Sequence, residues 1–189
     1  MEYPESRHSL RGFPVEFAAL GFLVEEPMHG YALRSRITEG LGPLWQVASS
    51  QLYQVLHRLE EREYVRRSSD TQSSGPTRLV YHVTANGEQV FWEWAQAPVD
   101  SMRNVRVEFA AKLYFLRRMK LKEVTSLIDD QLTALERMKA HVLAEERKGS
   151  DDTTLNSAWQ VLQMATIDSF AQWLAAHRQR LSNDKEKEA

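Results

Sequence analysis

Ser49, Ser50 and Gln51 stand in a row near the front of "VASSQLYQVLHRLEEREY", residues 47 to 64. A glutamine amide sets a donor beside an acceptor and can pair bidentately with the edge of adenine, and a serine hydroxyl can give or take one bond. Behind them Leu52, Val55, Leu56 and Leu59 recur at steps of three and four. That spacing is the apolar stripe of an amphipathic helix with one face buried. The other face carries Gln51, Gln54, His57, Arg58 and Arg62. Two uses of this front are open: Ser49 or Ser50 caps the first turn while Gln51 is solvated, or Ser50 and Gln51 form an edge that reads a base sequence. Tyr53 either donates to a phosphate or enters the core. Arg58 and Arg62 either meet phosphate or pair with neighbouring Glu60, Glu61 and Glu63, in surface pairs worth little.

Catalytic chemistry finds no comparable foothold. The chain has no cysteine, which excludes disulfides, thiol catalysis and cysteine-ligated zinc. Its six histidines are scattered without a pair at metal-ligand spacing, and neither a Gly-rich phosphate loop nor a nucleophile elbow occurs. No catalytic residue, metal or cofactor is expected, and the chain is not read as an enzyme. With 189 residues, 42% of them hydrophobic, it can build one ordinary domain or two small ones. No apolar run approaches the roughly 18 residues that a spanning helix needs, so a soluble cytoplasmic protein is expected, with no membrane partner. The net charge of −2 gives no global nucleic-acid signature. Between residues 28 and 84, however, seven arginines face four glutamates and one aspartate, a local surplus of two.

The elements that must position these residues follow from periodicity. "PVEFAALGFLVEE" (14–26) opens with proline and carries Phe17, Leu20, Leu23 and Val24, which predicts a first helix. "PMHGYALRSRITEGLGP" predicts a short second one, with Tyr31, Leu33 and Ile37 before Gly40, Gly42 and Pro43. The Ser49 segment is the third. "YVRRS", a turn-rich stretch and "RLVYHV" then predict a two-stranded hairpin with Arg66, Arg67 and Arg78 on its strands and Ser73, Ser74 and Gly75 at its tip. Those arginines and that small tip either approach a nucleic-acid backbone or are simply solvated. Three helices and a hairpin are the parts of a winged helix-turn-helix. Thr84 should cap a fourth helix that ends before Pro98.

Beyond Pro98 three more helical stretches are expected, the middle one a seam from Leu121 to Val142 and the last running from about Leu155 to Leu181. Trp159, Leu162, Phe170, Trp173 and Leu174 are assigned inward. Trp92 and Trp94, on the fourth helix, either belong to the core or wall a pocket for a flat aromatic effector.

The segments "LGFLVEEPMHGYAL", "LWQVASSQLYQVLHRLEEREYV", "GPTRLVYHVTANGEQVFWEW" and "RVEFAAKLYFLRRM", in this order and spacing, resemble the PadR family of transcriptional regulators. The C-terminal half resembles its virulence-activator-like (AphA-like) subgroup. The resemblance implies a winged-helix DNA reader joined to a helical dimerisation domain, usually a repressor and sometimes an activator. It implies DNA contacts at Tyr31 in "HGY", at Ser49, Ser50, Gln51 and Tyr53 in "SSQLY", and in the wing around Gly75 and Arg78. Two departures stand out: Glu63 occupies a place where the family commonly has glycine, and the wing lacks the extra basic residues often found near its tip.

The expectation is therefore a mainly α protein. It comprises a winged-helix DNA-binding domain at 10–97, a helical dimerisation domain at 98–183 and a frayed tail at 184–189. It is expected to bind double-stranded DNA at a pseudo-palindromic operator as a homodimer, through contacts including Arg58, as a repressor released by a small aromatic effector. The competing expectation is a winged-helix module for protein contacts alone.

Overall fold

A computed structural model describes residues 14–44, 46–70, 78–102, 104–119, 122–146 and 153–188. The element order is α1 (Pro14–Glu25), β1 (Met28–His29), α2 (Gly30–Leu41), α3 (Ser49–Glu61), β2 (Val65–Asp70), β3 (Arg78–Val83), α4 (Ala85–Gln96), α5 (Val105–Met119), α6 (Glu123–Glu146) and α7 (Thr153–Glu188). The chain is mainly helical, with a winged helix-turn-helix followed by a helical C-terminal region. It forms two compact units that divide between Trp92 and Glu93, inside α4 and a few residues ahead of the expected boundary at 97/98.

In the first unit, α1 is buried almost all round, from Val15 to Leu23, which makes it the central strut rather than a surface helix. Leu52, Val55, Leu56 and Leu59 of α3 are each no more than 2% exposed, as their spacing predicts. Burial of each such side chain contributes roughly 1.5–3 kcal/mol. The sheet has three strands in the order β1-β3-β2, all antiparallel, where a two-stranded hairpin is expected from sequence. The extra strand is the pair Met28 and His29, set against Tyr81 and Val80. It ties the start of α2 to the base of the wing, and His29 Nδ1 lies 3.1 Å from the Leu79 carbonyl oxygen.

The junction after α3 explains the "TANGE" sequence. Glu63 adopts φ 58°, the left-handed conformation. Its N–H donates to the Glu60 carbonyl and that of Tyr64 to Leu59, the paired bonds of a Schellman stop. The Glu63 carbonyl accepts from Thr84 Oγ1, the Tyr64 carbonyl accepts from the Thr84 N–H, and Thr84 Oγ1 accepts from the Gly87 N–H at 3.0 Å, capping α4. So the end of α3, the foot of the wing and the start of α4 share one bonded knot. Gly87 lies against the Tyr64 carbonyl so closely that a Cβ there would overlap the oxygen.

In the second unit the segment after α4 is fastened by buried polar groups. Gln131, fully buried on α6, accepts from the Val99 N–H at 2.7 Å and donates to the Val99 carbonyl at 3.0 Å. Lys112, 1% exposed, donates to the Ala97 carbonyl and pairs with Glu108. Burial holds its ammonium below the usual lysine range, and Glu108 and then Asp100 oppose that shift. Helices α6 and α7 are joined by the pairs Lys139–Asp168 and Arg178–Asp129. One expectation fails here. Trp159, Leu162 and Trp173, assigned inward, are 57%, 55% and 47% exposed, since the helical stripe on α7 is wider than the single chain covers. The helix α7 runs to Glu188.

Candidate nucleic-acid interface

The front of α3 is built without a side-chain cap. Ala48 holds the N-cap position in extended backbone, φ −69° and ψ 148°, and its carbonyl accepts from the Leu52 N–H at 3.0 Å. Ser49 and Ser50, expected as possible caps, instead occupy the first turn itself, because Ala48 already fills the capping position. Ser49, Ser50, Gln51 and Gln54 are all exposed. The first N–H groups of a helix have no intrahelical acceptor and carry the positive end of its dipole, a ready partner for phosphate. Three hydrogen-bonding side chains thus stand at an electropositive helix end.

Two tyrosines extend this edge. Tyr31, in the first turn of α2, is 77% exposed, and Tyr53 of α3 is 52% exposed. Tyr31 lies outside the buried stripe of α2, which is Gly30, Leu33, Ile37 and Leu41. Gly30 explains how the tyrosines share the surface: a Cβ at that position would sit 2.9 Å from the Tyr53 ring. The glycine of "HGY" is what lets the ring of α3 lie over the start of α2.

Further along, Ser50, Tyr53, Gln54, His57 and Arg58 line one shallow open hollow on α3. Arg58 is not partnered by its sequence neighbours. Its Nε donates to Glu16 Oε1 of α1 at 2.9 Å, and Arg62 reaches Glu16 Oε2 at 3.5 Å. Glu16 is 2% exposed. Sequence reasoning overlooked it, although an acidic residue within the apolar "PVEFAALGFL" was a usable signal. Arg67 of β2 pairs with Glu60 at 2.6 Å, and Arg66 is exposed.

The remaining expected residues fall elsewhere. Gly75 lies outside the described residues. Arg78 opens β3 opposite Asp70, and its side chain is also outside them. Trp92 lies in the first unit, its Nε1 donating to Glu88 at 3.4 Å. Trp94, in the second, is 9% exposed, with Nε1 donating to Glu108 at 3.0 Å and the Lys112 ammonium 5.1 Å from its ring centre. Among the described residues no cluster of three His, Asp or Glu side chains can hold a metal ion, and no helix is long and apolar enough to cross a membrane.

Residues 19–93 match the model of the Transcriptional regulator PadR-like family, a family of regulators and not of enzymes. The negative transcriptional regulator PadR of Bacillus subtilis is 26% identical over 144 residues, 76% of this chain and 76% of that protein. A probable transcriptional regulator of Mycobacterium tuberculosis is 28% identical over 86 residues, 46% of each chain. Among solved structures, Bacillus subtilis PadR in complex with operator DNA aligns over 89% of this chain and 99% of that one, at 23% identity and a TM-score of 0.45. By these sequence matches, residues 19–93 are similar to the PadR-like transcriptional regulators.

Proposed function

We propose that the chain is a sequence-specific repressor that binds double-stranded DNA as a homodimer and works in the cytoplasm. One observation carries the reading: the uncapped front of α3, where exposed Ser49, Ser50 and Gln51 sit at a helix N-terminus beside Tyr31 and Tyr53. Gln51 and Ser50 would read base edges, while Tyr31, Tyr53, Arg58 and Arg78, with the wing around Gly75, would position the backbone. The repressor assignment draws on the relative described as a negative regulator. The helical half we assign to the virulence-activator-like subgroup on the segment "RVEFAAKLYFLRRM".

Pairing of two chains is supported by the open face of α7, where Trp159, Val161 and Leu162 are all more than half exposed. Large apolar side chains left exposed on one helix fit an interaction site. A two-fold pair would present two copies of α3 to a pseudo-palindromic operator. Release by a small aromatic effector is the last part of the proposal, with Trp92 as the better wall, because its side chain is partly exposed while Trp94 is buried.

A gel shift with the DNA upstream of the chain's own gene, against excess unrelated duplex, tests the reading. A band that survives the competitor is expected. Equal competition by any duplex would remove the specific readout, and no binding at all would return the winged helix to protein contacts.

A further inference from the structure

Arg58 is the one cation of the hollow on α3, and its guanidinium is used unevenly. Nε is committed to Glu16 at 2.9 Å, while the terminal nitrogens make no bond to a described residue and the side chain stays 45% exposed. The carboxylate that holds it is only 3% exposed and stands on α1, the central strut of the unit. An arginine fixed through Nε by a buried acceptor keeps its outer pair of N–H donors in one plane and direction, and loses less conformational freedom when it meets a phosphate. Ser50, Gln54 and Arg58 lie at successive turns of the same face.

From this we infer that Glu16 is a positioning residue for DNA: it aims the outer edge of Arg58 from the core side, so that the arginine meets a phosphate when the front of α3 enters the groove. The inference rests on the DNA-binding reading above. A structural role alone would leave the effect of Glu16 independent of what stands at 58. A restraining role, in which Glu16 keeps Arg58 away from DNA, would make its loss strengthen binding.

The test uses the full chain and one duplex enriched from a randomised pool by the wild-type protein, with affinity measured against salt concentration. Arg58→Ala should reduce the log–log salt slope by about 0.9 per bound chain, the value of one phosphate contact. Glu16→Ala should reproduce most of that loss, and should add little when Arg58→Ala is already present. Glu16→Gln, which keeps an acceptor for Nε, should stay near the wild-type slope. Arg58→Lys needs no change at the buried position: its single ammonium is spent on Glu16, so it should behave like Arg58→Ala. A lysine variant that keeps the wild-type slope overturns the inference. So does a Glu16→Ala effect of equal size in both backgrounds, or a steeper slope and tighter binding on losing Glu16. Failure of the wild-type chain to enrich any duplex overturns the DNA reading and this inference with it, whereas the other failures leave that reading standing.

Discussion

Glu63→Gly should make the first unit more stable, and the knot behind α3 gives the size of the effect. At φ 58° a residue with a Cβ carries a left-handed penalty of about 1–2 kcal/mol, which glycine escapes. Glycine loses more backbone freedom on folding, which takes back roughly 0.5–1 kcal/mol. The two bonds of the stop, Glu63 N–H to Glu60 and Tyr64 N–H to Leu59, involve only backbone and survive the change. So does the bond from Thr84 Oγ1 to the Glu63 carbonyl. Removal of a carboxylate from a helix C-terminus adds a few tenths of a kcal/mol at low salt. The expected gain is about 0.5–1 kcal/mol, read as a higher urea midpoint at unchanged slope. Glu63→Ala is the control, since it removes the charge and keeps the left-handed cost. If the glycine variant gains nothing over the alanine variant, the conformation at 63 carries no penalty and the reasoning is wrong.

Gly87→Ala should cost about 2–3 kcal/mol by forcing Tyr64 away from the start of α4, visible as a lowered midpoint for the first unit. His177 is held below the ordinary histidine range by burial first and by Arg117 and Arg180 next. Its folded value lies below 6.5, so the unfolded chain takes up the proton first as pH falls. This residue's contribution is therefore lost from about 6.5 downward through the lowered value, and His177→Phe should flatten that part of the urea-midpoint profile. Leu162→Glu on the open face of α7 should shift sedimentation from dimer to monomer and weaken operator binding by roughly 10²-fold, as two linked heads become separate. An unchanged sedimentation coefficient would place the partner surface elsewhere. The log–log salt slope of the wild-type chain should be shallow, about three per bound chain.

Local periodicity made most of the first unit legible. The stripe of α3, the first two helices, the wing strands and the Thr84 cap each rest on residues within a few positions of one another. What escaped depends on distant partners. β1 is two residues long, too short for alternation to register, and exists only because β3 lies beside it, some fifty positions on. Arg58 had three acidic neighbours in sequence, yet its carboxylate is Glu16, 42 positions away on a helix that periodicity marks only as apolar. The serines looked like caps because capping is their commonest local use, but the extended backbone at Ala48 decides where the helix begins. On α7 the spacing of Trp159 and Leu162 identified an apolar face wider than two antiparallel helices can bury, with a second copy of the chain as its expected cover. The glutamate at 63 was visible as an oddity in sequence, and the structure shows the backbone keeping a glycine-like shape there regardless.

The distribution of charge explains why such a reader would need hydrogen bonding at the front of α3. Of the seven arginines between 28 and 84, Arg36 is paired with Glu25 and Glu26, Arg58 and Arg62 with Glu16, and Arg67 with Glu60. Arg34 is turned to the Val47 carbonyl. With Arg66 exposed, the outer edge of Arg58 proposed for one phosphate and Arg78 proposed for another, the reading counts three contacts per head, which is where a slope of about three comes from. A head with so few free cations gains little from an arbitrary duplex, because non-specific binding is almost wholly counterion release. The amide of Gln51, the hydroxyls of Ser49 and Ser50 and the two tyrosines, by contrast, lose their value when the bases or the groove shape are wrong. In the proposed dimer, internal carboxylates that occupy arginines would thus lower the background against which those few contacts discriminate, and the affinity forgone by each head would return only when two are joined.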